Sequence, residues 1–496
     1  MGQIRFRVYD RERISEIARS AVYMCGLEEI PWRSRTFWDG ELLVVERLES
    51  ESGRVHVPWR TDGGTTLFLA TSTLMERPEP YLLEVELARG LVHAIRQQLA
   101  QWEPLGLAIG SDFREALGEA RRLFSRAAIS QDDVKSSGEL ACGAIHGALG
   151  VARWLGRIYT EQALQSRRQS PRPLTTLVGV DLGPEPPRPQ VVGELGGAFN
   201  LVAVSTAWRQ IEAHEGTRDW QVTDAQLDWA ARAGMKVCSG PILRMDGQGF
   251  PDWMYLWAGD FDNLLAFMLD HVRSVVSRYR GRVHVWHVAS RINSGTALSL
   301  EEDEKLRVVA EATQTIRQLD PRTPIVASFD RPWGEYLAEE DRELAPLQFA
   351  DALIRADLGI VGVGLEIAEG YWPDGSFRRH ALAHSRLFDQ WSLLGVPLVL
   401  LLTAPSAESP DPLARRGNSV VDRPAAVEDP QSDPQAAWVE EIVPLALAKN
   451  FVQVLIWNQL DDSAPHELPH GGLFRRDGGP KSALESLRRI RRMHLM

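Results

Sequence analysis

Two carboxylates stand at the ends of apolar runs, where a protein can use them for acid–base chemistry. Glu366 lies within the run that starts at Ile360, and Asp330 follows the run Ile325–Phe329. Burial at a strand end raises the pKa of a carboxyl group and suits it to proton transfer. We therefore expect Glu366, with Asp330 or Glu369 as its partner, to be the candidate catalytic pair.

Other polar and aromatic residues follow the same apolar runs and could bind a ligand beside that pair. Arginine and asparagine side chains donate hydrogen bonds, and tryptophan offers a flat apolar surface. The expected ligand-binding residues are Arg244, His287, Arg291, Asn293, Glu369, Trp372, Trp457 and Asn458. A structural interpretation stays open as well, in which Glu366 pairs with Arg291 or Arg244 and His287 makes a structural hydrogen bond.

The segments that carry these residues alternate between apolar strands and amphipathic helices from residue 175 onward. Such an alternation over some 320 residues predicts a (β/α)8 TIM barrel, whose strand ends form one mouth. The predicted strands are Leu177–Leu182, Asn200–Ser205, Met235–Leu243, Val283–Ser290, Ile325–Phe329, Ile360–Ile367, Pro397–Leu402 and Val452–Trp457. A doubly wound open sheet is the alternative, but no Gly-rich phosphate loop follows the first strand.

The part before residue 175 has a different hydrophobic pattern. Short alternating runs separated by turn residues predict a small antiparallel β unit over residues 1–80, and helical periodicity follows over 81–167. The polar, Pro-containing stretch 168–174 reads as a linker. The fold class is thus α/β, a (β/α)8 barrel over 175–496 behind an α+β N-terminal domain.

Bulk properties exclude several classes of function. A net charge of −12 argues against a general binder of nucleic acid or of an anionic membrane. Cys25, Cys142 and Cys238 are too few and too far apart for a disulfide framework or a zinc motif, so we expect no metal and no cofactor. The N-terminus has no apolar signal core and no apolar run reaches the length of a membrane span, so we expect a cytoplasmic protein.

Residues 278–291, Arg-Tyr-Arg-Gly-Arg-Val-His-Val-Trp-His-Val-Ala-Ser-Arg, describe a basic helix end, a Gly stop and a buried strand. This stretch resembles the fourth strand of the family 10 glycoside hydrolases, the xylanase family. Further resemblances follow in the family's order over most of 175–494: Phe199-Asn200, Asp219-Trp-Gln-Val-Thr-Asp224, Pro251-Asp-Trp253, Asp320-Pro-Arg-Thr-Pro-Ile-Val326, Trp457-Asn-Gln-Leu-Asp-Asp462 and Gly472-Leu-Phe-Arg-Arg-Asp-Gly-Gly-Pro-Lys481.

The resemblance implies a glycan-cleaving barrel, but the residues that cleave are replaced. Arg291 stands where the family has its acid/base glutamate, and Leu402 falls where it has its nucleophile. A guanidinium stays protonated and a leucine has no nucleophilic atom, so neither replaces a carboxylate. The family's sugar-binding Glu-Asn pair falls on Ser205 and Thr206, and its Gln-x-His falls on Glu366 and Ala368.

Three functions remain open from the sequence. The first is a protein that binds a glycan or sugar conjugate at the barrel mouth and has lost the family's retaining hydrolysis. The second is an active O-glycoside hydrolase that uses relocated carboxylates, Glu366 with Asp330 or Glu369. The third is a scaffold for protein partners, which the N-terminal half could contact.

Overall fold

The strands of the N-terminal part are short and form two four-stranded sheets. Their bounds are β1 Gly2–Arg7, β2 Tyr23–Cys25, β3 Pro31–Trp32, β4 Ser34–Asp39, β5 Leu42–Arg47, β6 Arg54–Arg60, β7 Thr66–Ala70 and β8 Tyr81–Leu82. One sheet has the order β4-β5-β1-β8 and the other β3-β2-β6-β7. All pairings are antiparallel except the short parallel contact between β1 and β8. The predicted antiparallel β unit is confirmed.

These features come from a computed structural model, which describes residues 2–48, 50–169, 174–186, 188–340, 342–417, 419 and 433–495. Within those ranges no helix combines the length and the apolar character that crossing a membrane requires.

Three long helices follow the two sheets, as the periodicity of the sequence predicts, and one short helix lies between β1 and β2. The N-terminal helices are α1 Glu16–Ser20, α2 Leu83–Trp102, α3 Ser111–Ile129 and α4 Val134–Gln169. Helix α4 packs along α3 and α2, and its small residues allow the close approach: Gly147 lies next to Ala120 of α3. Helix α4 continues through Gln169, so the first two residues of the predicted linker are helical; its residues 170–173 lie outside the described ranges.

The second part is a closed parallel barrel. Its strands are β9 Leu177–Asp181, β10 Leu201–Val204, β11 Lys236–Ser239, β13 Val285–Ser290, β14 Ile325–Asp330, β15 Ile360–Ala368, β16 Leu398–Thr403 and β17 Val452–Trp457, and a short strand β12 Leu243–Arg244 lies beside β13. Each barrel strand pairs in parallel with the next, β17 pairs with β9, and β11 pairs with β13, which closes the ring. The predicted (β/α)8 fold is confirmed.

Helices surround this barrel and alternate with its strands. Their bounds are α5 Pro189–Leu195, α6 Trp208–Ile211, α7 Gln221–Arg232, α8 Phe261–Tyr279, α9 Glu302–Leu319, α10 Pro346–Arg355, α11 Ala381–Ser392, α12 Pro434–Ala448 and α13 Ser482–His494. Helix α8 ends just before Gly281, whose φ of +84° turns the chain into β13, as the Gly stop predicts.

Strand residues alternate between two cores, because successive side chains point to opposite faces of the sheet. Leu401 and Val399 of β16 belong to a small cluster inside the barrel, while Leu400 and Leu402 pack in the large core under the helices. This alternation decides which residues at the strand ends face the mouth.

The N-terminal part packs directly on one side of the barrel. Helix α4 contacts α11 and α12, and the backbone N–H of Phe68 in β7 donates to the carbonyl of Arg378 at 2.8 Å. Phe377 is buried in the same apolar cluster as the N-terminal sheets. The two parts therefore share buried surface.

Candidate functional site

The two predicted catalytic carboxylates come from neighbouring strands. Asp330 of β14 and Glu366 of β15 are register partners, and both line the mouth above the strand ends. Glu366 is 8% exposed, and burial together with the nearby Asp330 raises its pKa. The side chain of Asp330 accepts a hydrogen bond from the Ser294 hydroxyl.

Both carboxylate oxygens of Glu366 already have partners. The Ser328 hydroxyl donates to Oε1 at 2.6 Å, and Nε of Arg291 donates to Oε2 at 3.2 Å. These two bonds hold the Glu366 carboxylate in place, and the ion pair with Arg291 favours its charged form over the protonated form that a general acid needs. The structural alternative for Glu366, a salt bridge to Arg291, is thus what the structure contains.

Arg291 is the centre of this arrangement. It follows β13 with a left-handed φ of +55° and is 9% exposed. Its guanidinium contacts Glu366, and its Nη1 also donates to Asp246 Oδ2 at 2.8 Å and to Glu467. One cation therefore joins three carboxylates from three segments of the mouth.

Two more arginines complete what we call the arginine–carboxylate cluster: Arg244, Asp246, Arg291, Glu366, Arg416 and Glu467. Nη2 of Arg244 lies 2.6 Å from Asp246 and 2.7 Å from Glu467. Arg416 lies 3.4 Å from Glu467. Burial alone would raise the pKa of Glu467, but Arg244, Arg291 and Arg416 outweigh it and hold that pKa well below its usual range.

This cluster fills the place where the mouth could hold a substrate next to Glu366. The cavity that Arg291, Asp330 and Glu366 line has a volume of about 20 Å³, which is space for about one water molecule. Arg291 cannot act as a proton donor there because a guanidinium does not deprotonate in proteins. The arrangement neutralises buried charge and narrows the space beside Glu366.

Two further predicted binding residues, Asn293 and His287, make hydrogen bonds to β14. The Asn293 side chain donates to the Asp330 carbonyl at 2.9 Å and accepts from the Asp330 N–H at 3.2 Å. His287 lies 2.8 Å from the Ser328 hydroxyl, and burial lowers the pKa of His287 to about 4. His287 is therefore neutral at physiological pH and continues the hydrogen-bond chain that ends at Glu366.

Three other predicted residues lie away from the mouth. Glu369 is 0% exposed and accepts from Trp438 Nε1 at 2.7 Å, with His384 Nε2 at 2.9 Å. Trp457 is 3% exposed, and its indole N–H donates to the Gly471 carbonyl. Trp372 packs on Phe377 next to the N-terminal core. The structure does not bring Glu369, Trp372 or Trp457 together with Glu366.

Leu402, which stands where the resemblance implies a nucleophile, also has a defined geometry. Leu402 packs in the core under the helices, whereas its neighbours Leu401 and Thr403 line the mouth cavity. A mouth-facing group on β16 would therefore stand at 401 or 403, one residue from the position that the sequence alignment indicates. None of the three side chains is a carboxylate.

A larger groove lies beside the arginine–carboxylate cluster, over the ends of β9, β10, β11 and β17. Its volume is about 480 Å³, within the range of small-molecule sites. Arg244 and Asn458 are the two predicted binding residues that reach it. Its polar lining comprises Asp181, Glu185, Arg188, Ser205, Thr206, Arg209, Gln210, Arg244, Gln248, Arg415, Asn458, Gln459, Asp461, His466 and Glu467.

The sequence predictions missed Asp181 and Glu467. Asp181 ends β9 and accepts from the Gly183 N–H at 2.8 Å, and burial raises its pKa to about 6. Because Asp181 is a carboxylate at the end of the first barrel strand, it could have been identified from the sequence in the same way as Asp330. Glu467 gave no such signal, because it lies in a loop and reaches the mouth only through the path of that loop.

Comparison with known proteins gives a family match over part of the barrel. Residues 197–305 match the model of glycosyl hydrolase family 10. A beta-1,4-xylanase of Dictyoglomus thermophilum is 35% identical over 100 residues, which cover 20% of this chain and 26% of that protein. Endo-1,4-beta-xylanase C of Paenibacillus barcinonensis is 29% identical over 104 residues, 19% of this chain and 9% of that protein. The chain thus spans about a quarter or less of these relatives.

Solved xylanase structures align with the barrel at low identity. Native xylanase 10B from Thermotoga maritima gives a TM-score of 0.48 at 14% identity and covers 64% of this chain and 96% of that one. The family 10 enzyme from Paenibacillus barcinonensis gives 0.48 at 18% identity, covering 68% and 98%. The sequence similarity to glycosyl hydrolase family 10 thus extends over residues 197–305, from just before β10 to the start of α9, and this segment includes Arg291.

Proposed function

We propose that this protein binds a glycan or sugar conjugate at the C-terminal ends of the barrel strands and has lost the retaining hydrolysis of the family it resembles. The observation that carries the proposal is the set of ion pairs that Arg291 makes. Its guanidinium occupies the place implied for the acid/base and pairs with Asp246, Glu366 and Glu467.

The requirements of the chemistry support the loss of hydrolysis. A retaining glycosidase needs two carboxyl groups about 5 Å apart, one free to protonate the leaving group and one free to attack. Here Glu366 is engaged on both oxygens, and no carboxylate stands at 401, 402 or 403 of β16. The remaining cavity at this point is about 20 Å³.

The neighbouring groove supports sugar binding. Its volume of about 480 Å³ accommodates a small ligand, and hydroxyl-rich ligands need many hydrogen-bond partners at fixed places. Asn458, Gln210 and Ser205 offer both donors and acceptors there. Because the curated relatives are named xylanases, xylo-oligosaccharides are the first ligands to test.

A second candidate is hydrolysis by relocated carboxylates. The register that sets Asp330 beside Glu366 favours it, since two carboxyl groups on neighbouring strand ends can divide the roles of acid and base. This candidate requires Arg291 to release Glu366 when substrate binds.

Calorimetry with xylo-oligosaccharides and a panel of other β-linked oligosaccharides tests binding. We expect Asn458→Ala and Gln210→Ala to weaken binding about fivefold each, the effect of losing one hydrogen bond of about 1 kcal/mol. Gln97→Ala, on the exposed face of α2, is the matched control and should leave affinity unchanged. Equal affinity in all variants would place the ligand elsewhere or overturn the proposal.

Turnover of aryl glycosides separates the two candidates. We expect none in the wild-type protein or in Glu366→Gln. Turnover that Glu366→Gln abolishes would contradict the binding proposal and establish the relocated hydrolase.

A further inference from the structure

A thiol, an imidazole and a carboxylate meet in the N-terminal part of the molecule, far along the chain from the barrel mouth. Cys25 ends β2, His56 lies in β6, and Glu29 lies in the loop that follows β2. Strands β2 and β6 are antiparallel partners, with Tyr23 opposite His56 and Cys25 opposite Arg54. Pairing of β2 with β6 thus brings together Cys25 and His56, which are 31 positions apart in sequence.

The three candidate ligand atoms form a nearly regular triangle. Cys25 Sγ lies 3.2 Å from His56 Nε2 and 3.9 Å from Glu29 Oε2, and His56 Nε2 lies 3.8 Å from Glu29 Oε2. The point in the plane of the three atoms that is equidistant from them is about 2.1 Å from each, and an ion somewhat out of that plane would lie about 2.2–2.3 Å from each, close to the lengths of zinc bonds to nitrogen, oxygen and sulfur. Shifts of a few tenths of an ångström would therefore bring the three atoms to the spacing of a tetrahedral zinc site, with the fourth position open.

The contacts around the triangle hold these atoms in position. Arg386 Nη2 donates to Glu29 Oε1 at 3.0 Å and Arg54 donates to the same oxygen, so Oε2 is the oxygen turned toward Cys25 and His56. The His56 ring stacks on Tyr23 at a centroid distance of 4.5 Å. Fixed outer contacts of this kind orient metal ligands.

Access and backbone conformation are consistent with a ligand site. Cys25 is 0% exposed, while the Glu29 side chain is 31% exposed and opens one side of the triangle to solvent. Glu29 also has a left-handed φ of +61°, which is uncommon for a residue with a side chain.

The charge of the surroundings determines which ion this triangle can take. Arg54 and Arg386 repel a cation, and Arg379 adds to the positive potential at His56. Binding must therefore include loss of the thiol proton: the S–H bond of Cys25 breaks, the proton passes to the buffer, and the sulfur pair bonds the metal. Thiolate and carboxylate then neutralise a dication, and a sulfur–nitrogen–oxygen donor set favours zinc over magnesium or calcium.

We propose that Cys25, Glu29 and His56 form a binding site for a zinc-class divalent ion, with water at the fourth position. The ion would fix the loop between β2 and β3 to the β2–β6 pair. Through the contact of Glu29 with Arg386 on α11, it would also fix that loop against the barrel. The sequence did not predict this site, because the spacing of the three ligands matches no zinc motif.

Titration of the metal-free full-length chain with Co²⁺ tests the proposal. We expect one ion per chain, with intense tetrahedral d–d absorption and a thiolate-to-metal charge-transfer band. Cys25→Ser should abolish the charge-transfer band, and His56→Gln should weaken binding about 100-fold. Cys142→Ser removes a thiol outside the triangle and should change neither.

Controls keep the result interpretable if a buried variant fails to fold. Glu29→Gln changes the most exposed ligand, and with a far-ultraviolet circular dichroism spectrum like that of the wild type it should weaken Co²⁺ binding at least tenfold. Absence of a charge-transfer band at saturating Co²⁺ would overturn the proposal. So would a band that persists in Cys25→Ser, or one that Cys142→Ser abolishes.

Discussion

At the scale of single residues, Arg291 neutralises buried carboxylates at the barrel mouth. Three carboxylates converge on its guanidinium, and each would be costly to bury without a partner. Arg291 is therefore bound to its surroundings far more tightly than a surface arginine, and the mouth above it is organised around a cation. Its guanidinium is the cation that Glu366, Asp246 and Glu467 require.

Arg291→Ala should lower the free energy of unfolding by about 3–5 kcal/mol, because it leaves buried carboxylates without a partner. Urea denaturation followed by tryptophan fluorescence measures this. Arg355→Ala is the control: Arg355 also pairs with an aspartate, but its side chain is 78% exposed, and its loss should cost less than about 0.5 kcal/mol. Equal losses in the two variants would show that the cluster stabilises nothing.

Buried histidines give the protein a defined pH dependence. Burial lowers the pKa of His287 to about 4 and that of His271 to about 3, while an unfolded histidine titrates near pH 6.5. Between about pH 4 and pH 6.5 the unfolded chain binds more protons at these positions than the folded one. Stability from these residues is therefore complete above pH 6.5 and declines as the pH falls toward 4.

Asp181 acts in the opposite direction, because burial raises its pKa to about 6 and the folded chain then holds more protons there than the unfolded chain. The contribution of His287 is therefore a difference between proteins: from pH 6.5 to pH 4, we expect the melting temperature of His287→Gln to fall less, or rise more, than that of the wild type. His146→Gln changes a histidine whose side chain is 73% exposed and should leave the slope as it is in the wild type. Thermal denaturation at a series of pH values decides the point. A slope that His287→Gln does not alter would contradict the assignment of a neutral buried imidazole.

At the scale of elements, the positions of the strands could be predicted closely. The face of the sheet to which each strand-end side chain points could not. Apolar runs rich in valine, isoleucine and leucine located all eight barrel strands. The third strand is shorter than predicted, because Gly240, with φ +134°, turns the chain after Ser239. A one-residue change of register moves a side chain to the other face. Trp457 and Leu402, at neighbouring strand ends, consequently pack under the helices.

Loops limited the prediction of the site more than strands did. Arg244, Arg291, Asp330 and Glu366 could be placed at one mouth, because each stands at or just beyond a strand end. Glu467 and Arg416 come from loops after β17 and β16, and no local pattern fixes how far such a loop folds back. The sequence could thus predict that charged residues gather at the barrel mouth. It could not predict that the loop residues Glu467 and Arg416 would also reach the mouth.

Helix α2 crosses the N-terminal sheet at Gly90. A β-carbon there would lie 1.9 Å from the carbonyl oxygen of Ala70 in β7, so the helix would have to move away from the sheet. Gly90→Ala should destabilise the protein by about 1–3 kcal/mol through overpacking.

Gly150→Ala, also in a helix but with no atom near the added carbon, should stabilise by up to about 1 kcal/mol. Chemical denaturation of both variants compares the two effects. Stabilisation by Gly90→Ala would contradict the close approach of α2 to β7.

At the scale of the whole molecule, a buried arginine of the barrel, Arg379, contacts the N-terminal part. Arg379 Nη2 lies 2.7 Å from Glu335 Oε1 and 3.2 Å from the Tyr23 hydroxyl of β2. Its guanidinium also lies over the rings of Phe68 and Trp333, at 4.4 and 4.5 Å. One barrel residue thus contacts both parts, which predicts that they unfold together.

We expect a single unfolding transition in the wild-type chain, measured both by calorimetry and by far-ultraviolet circular dichroism. Arg379→Ala should lower the free energy of unfolding by about 3 kcal/mol or more, because Glu335 would lose its buried partner. Two well-separated transitions in the wild-type protein would contradict a shared, buried interface.

The central claim, sugar binding without cleavage, is tested most directly by one nuclear magnetic resonance experiment on a mixture of the full-length protein and xylotetraose. Ligand-detected saturation transfer reports binding, and the anomeric proton signals of the same sample report any new reducing ends over days. The account predicts saturation transfer that Asn458→Ala weakens, with an unchanged anomeric spectrum. New reducing-end signals that Glu366→Gln removes would contradict it, because the mouth closed by Arg291 would then still cleave its ligand.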